Sequence, residues 1–210
     1  MSITSSQRQA HWDEVYERKA ITEVSWYEPS PATSLQLIRR GGLQLSDPII
    51  DVGGGASFLT NELLSAGYRD LTVLDVSASV LRKLQERLGP RAQDVTLLHR
   101  DITAFEPERC YALWHDRAVF HFLVERADRR RYVDALRRAV RPGGQVVIAG
   151  FGPAGPERCS GLPTMRYDDR SLAAELDAGF QLAETSLVTH HTPWSSEQQF
   201  LYCRFERRKS

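Results

Sequence analysis

From residue 48 onward, the apolar positions follow two alternating patterns. Short, continuous apolar runs resemble buried strands, and the stretches between them carry apolar residues at a spacing of three or four. The predicted strands are centred on Ile49 to Val52 and on residues 71–76, 95–101, 111–116 and 145–151. Helical spacing is clear at Val80, Leu81, Leu84 and Leu88. Alternating buried strands and amphipathic helices predict a parallel sheet with helices on both faces.

The C-terminal part of the chain has a different pattern, with two strand-like runs and no helix between them. Residues 180–191 and 198–207 are both strand-like, and only a short polar turn separates them. A parallel crossover needs a dozen or more residues, so these two strands must pair antiparallel. The predicted fold class is therefore α/β, with a Rossmann-like, seven-strand, mostly parallel sheet that ends in an antiparallel hairpin.

The N-terminal segment has its own pattern. Residues 6–19 are predicted to be helical, the aromatic stretch 25–31 interrupts that helix, and a second helix follows Pro31. We expect a single domain over 1–210, with a helical cap segment at 1–44 and the core at 45–206. Residues 150–167 carry four glycines and three prolines without any regular rhythm, so they are predicted to form a lid loop.

Composition narrows the classes of function. The chain has 27 basic and 27 acidic residues, and this balance does not favour a nucleic-acid partner. The three cysteines are far apart in sequence, so neither a disulfide framework nor a metal site is indicated. No signal peptide or membrane-spanning run is recognisable. The expected location is therefore cytoplasmic, without a membrane partner.

The candidate chemistry begins at the glycine-rich turn after the first strand, Asp51-Val52-Gly53-Gly54-Gly55-Ala56-Ser57. A dinucleotide-binding turn requires a small third residue where this chain has Phe58. Asp51 instead suits a ligand that carries an amino group. S-adenosylmethionine (SAM) is such a ligand, because it joins an amino acid to adenosine through a sulfonium.

Two further acids can serve the rest of such a ligand. Asp75 ends the second strand, where its carboxylate can accept hydrogen bonds from both ribose hydroxyls. Asp101 ends the third strand, where it can accept a hydrogen bond from the adenine amino group while Ile102 packs on the ring. Three acids at successive strand ends indicate a SAM site more specifically than the glycine-rich turn alone does.

These motifs, together with the closing hairpin and the "RPGGQVVIAG" turn into the fifth strand, resemble the class I SAM-dependent methyltransferases. The resemblance spans roughly residues 45–206. It implies a set of cofactor-binding residues that comprises Asp51, Gly53, Gly55, Asp75, Val76, Asp101 and Ile102. Ser57 departs from the pattern, because many members have a third glycine there.

The N-terminal segment resembles a subgroup that includes bacterial methyltransferases of unassigned substrate and some protein-lysine methyltransferases. By that resemblance, Tyr16 would line the methionine end of SAM, and Trp26 with Tyr27 would close over the cofactor. The alternative is that Trp12 and Tyr16 only fix a helix to the sheet.

The acceptor side is expected beyond the fourth strand, where the strand order reverses. Asp116 is predicted to hold the methionine amino group or a cationic acceptor, and His121 to accept a proton. Otherwise, Asp116 caps the following helix and His121 packs against it. An Asp-Lys-Gly-like sequence is common here in lysine methyltransferases of this class, whereas this chain has Asp116-Arg117-Ala118.

The predicted function is methyl transfer from SAM to a small-molecule acceptor. A protein-lysine methyltransferase, a non-catalytic SAM-binding regulatory domain and an NAD-binding domain are the alternatives. Arg158 and Arg166 in the lid could recognise an anionic substrate, Cys159 is expected to be an idle thiol, and adjacent His190 and His191 are expected at the surface or an edge. The acceptor and the oligomeric state stay open.

Overall fold

A computed structural model describes residues 4–176 and 178–209 of the chain. The strands of the main sheet are β1 (Ile49–Val52), β2 (Leu71–Asp75), β3 (Val95–His99), β4 (Tyr111–Arg117), β5 (Val140–Phe151), β8 (Phe180–His191) and β9 (Glu197–Arg207), and β6 (Arg158–Cys159) with β7 (Leu162–Pro163) form a small separate ladder. The helices are α1 (Ser5–Arg18), α2 (Ala32–Arg40), α3 (Leu59–Ser65), α4 (Ala78–Leu88), α5 (Arg126–Ala139) and α6 (Asp169–Leu176).

The main sheet has seven strands in the order β3-β2-β1-β4-β5-β9-β8. Strands β1 to β5 are mutually parallel, and β9 pairs antiparallel with both β5 and β8. This confirms the predicted fold class. Strands β2 and β3 lie on one side of β1, and β4 and β5 lie on its other side. The strand order therefore reverses between β1 and β4.

Buried apolar clusters cover both faces of this sheet. One cluster joins β4 and β5 to α5 and α6, and it includes Trp114, Tyr132 and Leu176. The other packs α2, α3 and α4 on the opposite face. A third, smaller cluster places Tyr16 of α1 beside Val80 of α4. Within the described residues, no helix is both long and apolar enough to cross a membrane.

Two predicted boundaries differ from the structure. Strand β3 ends at His99 and not at residue 101, because Asp101 caps a 3₁₀ turn at Ile102–Ala104 with its own side chain. Strand β5 begins at Val140 and not at residue 145, so the "RPGG" segment is part of the strand. The pairing of β5 with β4 is irregular over this segment.

The predicted irregular lid at 150–167 is partly wrong. Residues 158–159 and 162–163 pair as a short antiparallel ladder, β6 with β7. Gly161, with a φ of 79°, supplies the left-handed conformation that this tight connection requires. Residues 150 and 151 belong to the end of β5, and the remainder of the segment is irregular.

Candidate functional site

The carboxyl ends of β1, β2 and β4 meet at two adjoining cavities. The larger, of about 90 Å³, is called the main cavity and lies against β2 and the turn after β3. The smaller, of about 20 Å³, is called the side cavity and lies against the glycine-rich turn. Trp26, Gly53 and Arg117 line both cavities. The two cavities therefore adjoin at the point where the strand order reverses, which is where open α/β sheets bind ligands.

Most of the predicted cofactor-binding residues surround these cavities. The main cavity is lined by seven of them: Tyr16, Trp26, Gly53, Asp75, Val76, Asp101 and Ile102. Asp51 lines the side cavity. Gly55 lies just beneath the main cavity, where its amide donates a hydrogen bond of 3.2 Å to Asp75. Asp116 lines neither cavity.

The glycines of the turn let the backbone approach its neighbours closely. Gly53 has a φ of 70°, and a Cβ atom there would overlap the Val119 side chain. A Cβ on Gly55 would collide with Val80 and lie 3.0 Å from Asp75 Oδ2. A side chain at either position would displace the walls of the site, so the turn depends on glycine here.

Asp75 is a buried carboxylate at the end of β2. Its two oxygens accept hydrogen bonds from the amides of Ser77, at 2.9 Å, and Gly55, at 3.2 Å. Burial raises the pKa of Asp75 to about 6, the Asp51 charge adds to that effect, and the two amides oppose it. Each oxygen keeps a lone pair for a further donor in the main cavity.

Asp101 already has several partners. Its oxygens accept hydrogen bonds from Ser5 Oγ at 2.6 Å, Arg8 Nη1 at 2.8 Å and both the amide and the hydroxyl of Thr103 at 2.8 Å. Burial alone would raise the pKa of Asp101, but the hydrogen bonds from Ser5 and Thr103 and the charge of Arg8 lower it below its usual value. Helix α1 is thus attached to the turn after β3, a contact that sequence reasoning missed.

Aromatic side chains cover the main cavity from the N-terminal segment. Trp12 lies between Trp26 and Phe122, with ring centroids 5.6 Å and 5.0 Å away, and Tyr16 is 6.2 Å from Trp26. Tyr16 and Trp26 both line the main cavity. Trp12 and Phe122 also line it.

A buried histidine joins Asp51 to helix α2. His115 Nδ1 lies 2.7 Å from Asp51 Oδ1, and its Nε2 lies 2.9 Å from Ser34 Oγ. The parallel register pairs Asp51 with His115 directly, which explains the contact. Asp51 Oδ2 is buried and has no hydrogen-bond partner among the described residues. The sequence analysis missed His115, and its only sequence signal is its place beside Asp116 at the end of a strand.

Arg117 lies at the junction of the two cavities. Its Nε donates to Tyr202 Oη at 2.9 Å, and its Nη1 donates to the Trp26 carbonyl at 2.7 Å. Its Nη2 lies 2.9 Å from Glu28 Oε1 as an ion pair. The next residue, Ala118, has a φ of 71°, a conformation that favours glycine. This explains geometrically why a glycine suits that position in an Asp-Lys-Gly-like sequence.

Asp116 was predicted to hold a cofactor or acceptor group, and its surroundings contradict this. The side chain is fully buried and accepts hydrogen bonds from the Val119 amide at 2.9 Å, the Phe120 amide at 3.1 Å and Tyr132 Oη at 2.7 Å. Burial raises the pKa of Asp116 to about 7, although these hydrogen bonds favour its charged form. Asp116 therefore caps the turn after β4, as in the alternative interpretation.

His121 was predicted to accept a proton in the site, and its position contradicts this as well. It lies below the cavity against Phe151, is 1% exposed, and accepts a hydrogen bond from the Phe151 amide at its Nδ1. Burial, with the nearby Arg117 charge, lowers the pKa of His121 to about 3. The imidazole is thus neutral and packed in the core, whereas the adjacent Phe122 lines the main cavity.

The lid segment reaches the site through few residues. Leu162 of β7 lines the main cavity, whereas Arg158 and Arg166 are exposed and bond within the segment. Cys159 is buried, with Sγ 3.4 Å from Ser25 Oγ, and burial raises its pKa. It is a protonated packing thiol, as expected.

Both adjacent histidines lie in β8, an edge strand of the main sheet, which agrees with the predicted surface or edge placement. His190 is buried, and its Nε2 lies 2.6 Å from the Ser25 carbonyl. His191 is exposed. The described residues contain no group of three or more metal-binding side chains.

Comparison with known proteins identifies relatives in sequence. Residues 49–144 match the family model described as a methyltransferase domain. The eEF1A lysine and N-terminal methyltransferase of Mus musculus is 24% identical over 153 residues, which cover 69% of this chain and 21% of that protein. Its Drosophila melanogaster homologue is 24% identical over 144 residues, covering 65% of this chain and 21% of that protein. The chain thus spans about a fifth of the length of the curated relatives it matches.

Solved structures extend the likeness of fold over nearly the whole chain. A structure described as "Conversion of a Disulfide Bond into a Thioacetal Group during Echinomycin Biosynthesis" superposes with a TM-score of 0.75 at 21% identity, covering 96% of this chain and 94% of that one. The 1,6-didemethyltoxoflavin-N1-methyltransferase of Burkholderia thailandensis, bound to 1,6-didemethyltoxoflavin and S-adenosylhomocysteine, gives 0.68 at 18%, covering 97% and 85%.

Proposed function

We propose that this chain, which carries the methyltransferase domain of the class I SAM-dependent enzymes, transfers the methyl group of SAM to a nucleophilic atom of a small-molecule acceptor. The observation that carries the proposal is the covered main cavity, with Asp75 and Asp101 on one wall and aromatic rings over it. When bound, SAM supplies a methyl group that is already activated by a sulfonium leaving group.

The residues of the site fit this cofactor. Asp75 has free lone pairs for two ribose hydroxyls, and Ile102 and Val76 offer an apolar surface for the adenine ring. Asp51 Oδ2 is buried without a hydrogen-bond partner among the residues that the structure describes, and it can accept a hydrogen bond from an ammonium group. Adenine recognition by Asp101 requires that its carboxylate accept one donor in addition to those of Ser5, Arg8 and Thr103.

The protein would then contribute alignment and exclusion of water more than proton transfer. Trp12, Trp26 and Phe122 enclose the cavity, and Leu162 closes it from the lid side. The only acids that line the main cavity within the described chain are Asp75 and Asp101. Both belong to the proposed cofactor wall, so an acceptor whose reacting atom is unprotonated or readily deprotonated suits this site best.

Protein-lysine methylation is the second candidate, and the named relatives favour it. A lysine acceptor arrives as an ammonium and needs an open approach and an acid near the methyl group. The aromatic cover and the use of both cavity acids by the proposed cofactor support a small acceptor instead.

A label-transfer experiment tests the proposal. Methyl-labelled SAM is incubated with the protein, a library of small thiols, amines, phenols and carboxylates, and separately with a protein extract. We expect label in a small product. Label in a protein band would favour the lysine methyltransferase. SAM binding by calorimetry without transfer to any acceptor would favour a non-catalytic SAM-binding domain.

A further inference from the structure

Three polar side chains from three different elements form a buried chain of hydrogen bonds: Asp51 of β1, His115 of β4 and Ser34 of α2. They are 3%, 1% and 0% exposed. His115 Nδ1 lies 2.7 Å from Asp51 Oδ1, and His115 Nε2 lies 2.9 Å from Ser34 Oγ. Ser34 lines neither cavity. No substrate reaches its hydroxyl, so this chain of residues does not act as a nucleophilic triad.

The donors and acceptors of this chain match in one protonation state. A carboxylate only accepts hydrogen bonds, so His115 Nδ1 has to donate to Asp51. The Ser34 hydroxyl makes no other hydrogen bond within the described part of the chain, and a buried O–H group is nearly always paired. Its proton is paired only if Nε2 accepts it. The geometry therefore favours a neutral imidazole that carries its proton on Nδ1.

A neutral imidazole fixes Asp51 without cancelling its charge. His115 occupies Oδ1, whereas Oδ2 is buried and has no hydrogen-bond partner among the described residues. Gly54 lies against Oδ2, and a Cβ atom at Gly54 would overlap this oxygen. The missing side chain of Gly54 therefore keeps the space next to Oδ2 free, in the wall of the side cavity.

We propose that His115 and Ser34 are positioning residues for Asp51, which hold its carboxylate through Oδ1 and present the charged Oδ2 to a cationic group of the ligand. This rests on the proposed function, in which Asp51 accepts a hydrogen bond from the ammonium group of SAM. His115 acts through Asp51, and Ser34 acts through His115. Helix α2 of the cap segment thereby takes part in orienting an acid of β1.

The test measures, by calorimetry, the preference of each variant for S-adenosylhomocysteine over its desamino analogue. A ratio taken within one variant cancels any general loss of affinity. The wild type should prefer S-adenosylhomocysteine about 10- to 100-fold, since a hydrogen bond to a charged group contributes roughly that factor. His115→Leu removes the donor to Oδ1, so the carboxylate is no longer held in place, and the preference should fall about 10-fold. His115→Asn, whose amide can still donate to Asp51, should keep most of it.

Two further variants complete the series. Ser34→Ala leaves Nε2 of His115 without its donor, and its preference should lie between those of the wild type and His115→Leu. His121→Leu is the matched control, because it removes another buried, neutral histidine that lines neither cavity. It should keep the full preference. Thermal unfolding of each variant establishes that it is folded.

Nitrogen-15 NMR of the imidazoles adds a signature that packing alone would not produce. In the wild type, His115 should carry its proton on Nδ1 and an unprotonated Nε2. A proton on Nε2, with or without one on Nδ1, overturns the inference, and this result does not depend on whether any variant folds.

The binding outcomes separate this inference from the proposed function. A wild type that prefers S-adenosylhomocysteine, together with a folded His115→Leu protein that keeps this preference, overturns the role of His115 alone. A wild type that binds both ligands equally overturns the ammonium contact of Asp51 and the inference with it. Failure of the wild type to bind either ligand overturns the proposed cofactor.

Discussion

At the scale of single residues, the carboxylates of the site differ in what they contact. Asp75 accepts only two backbone amides and faces the main cavity, whereas Asp116 accepts three internal donors and faces the core. Burial raises the pKa of both, to about 6 for Asp75 and about 7 for Asp116. Burial therefore shifts the pKa of both acids in the same direction. Their hydrogen-bond partners distinguish them, because Asp75 faces the main cavity and Asp116 faces the core.

Cofactor affinity should depend on pH through Asp75. In the proposed function its ionised form accepts the ribose hydroxyls, and burial raises the pKa of Asp75 to about 6. Affinity for S-adenosylhomocysteine should therefore be constant above that pH and fall as the pH drops through about 6. Calorimetric titration from pH 8 to pH 5 measures this. Asp75→Asn should bind more weakly at pH 8 and show a flatter profile, and an unchanged affinity would refute the ribose assignment.

Removal of the Asp116 carboxylate should reduce stability and leave cofactor affinity unchanged. Asp116→Ala leaves Tyr132 Oη and two amides with an unmet hydrogen bond, which costs about 1–3 kcal/mol for a buried partner. Urea unfolding measures this loss. Asp116→Asn, which keeps an acceptor oxygen, should lose less. Wild-type stability combined with lost S-adenosylhomocysteine binding would return Asp116 to the cofactor site.

At the scale of elements, helix α1 lines the main cavity and is held to the core by polar contacts. Near the N-terminus of α1, Ser5 and Arg8 donate hydrogen bonds to Asp101. Further along the helix, Asp13 accepts hydrogen bonds from Ser77 Oγ at 2.7 Å and from the Ser79 amide at 3.0 Å. These contacts join α1 to the turn after β3 and to the start of α4. Helix α1 thus contributes Arg8, Trp12 and Tyr16 to the lining of the main cavity.

Loss of Arg8 should loosen that helix. Arg8→Met removes its bonds to Asp101, Thr103 and Asp128, so the free energy of local opening should fall by about 1–3 kcal/mol. Hydrogen exchange of the α1 amides should become faster, and S-adenosylhomocysteine should dissociate faster. Arg18→Met, which removes only an exposed pair with Glu14 in the same helix, should change neither rate. Unaltered hydrogen exchange of the α1 amides in Arg8→Met would show that the bonds of Arg8 do not hold α1 against the core.

At the scale of the whole molecule, ligand binding should stabilise the fold, because the site joins the cap, both sides of the strand reversal and the lid. A ligand at 100 times its Kd adds about 2.7 kcal/mol, which should raise the Tm by roughly 5–10 °C for a chain of this size. A thermal scan with S-adenosylhomocysteine measures the shift. NAD should give none, since Phe58 stands where a dinucleotide turn needs a small residue, and a shift with NAD alone would overturn the cofactor assignment.

The sequence by itself determined the architecture and the edge of the sheet at which three acids lie near the cavities. Strand and helix periodicity predicted the parallel strands and the hairpin, because burial imposes a period of two or continuous apolar runs on strands and 3.6 on helices. It also placed Asp51, Asp75 and Asp101 at one edge, because parallel strands end on the same side of a sheet.

Tertiary structure alone decided which polar residues near that edge face the cavities. His115 reaches Asp51 only through the register of β1 with β4, and Arg117 reaches the cavity junction through contacts with Tyr202 and Glu28 that are far away in sequence. Asp116 binds Tyr132 of α5 and the amides of the turn after β4, and His121 packs against Phe151 in the core. Side-chain direction after a strand depends on one or two backbone angles and on distant packing partners, and local sequence patterns encode neither.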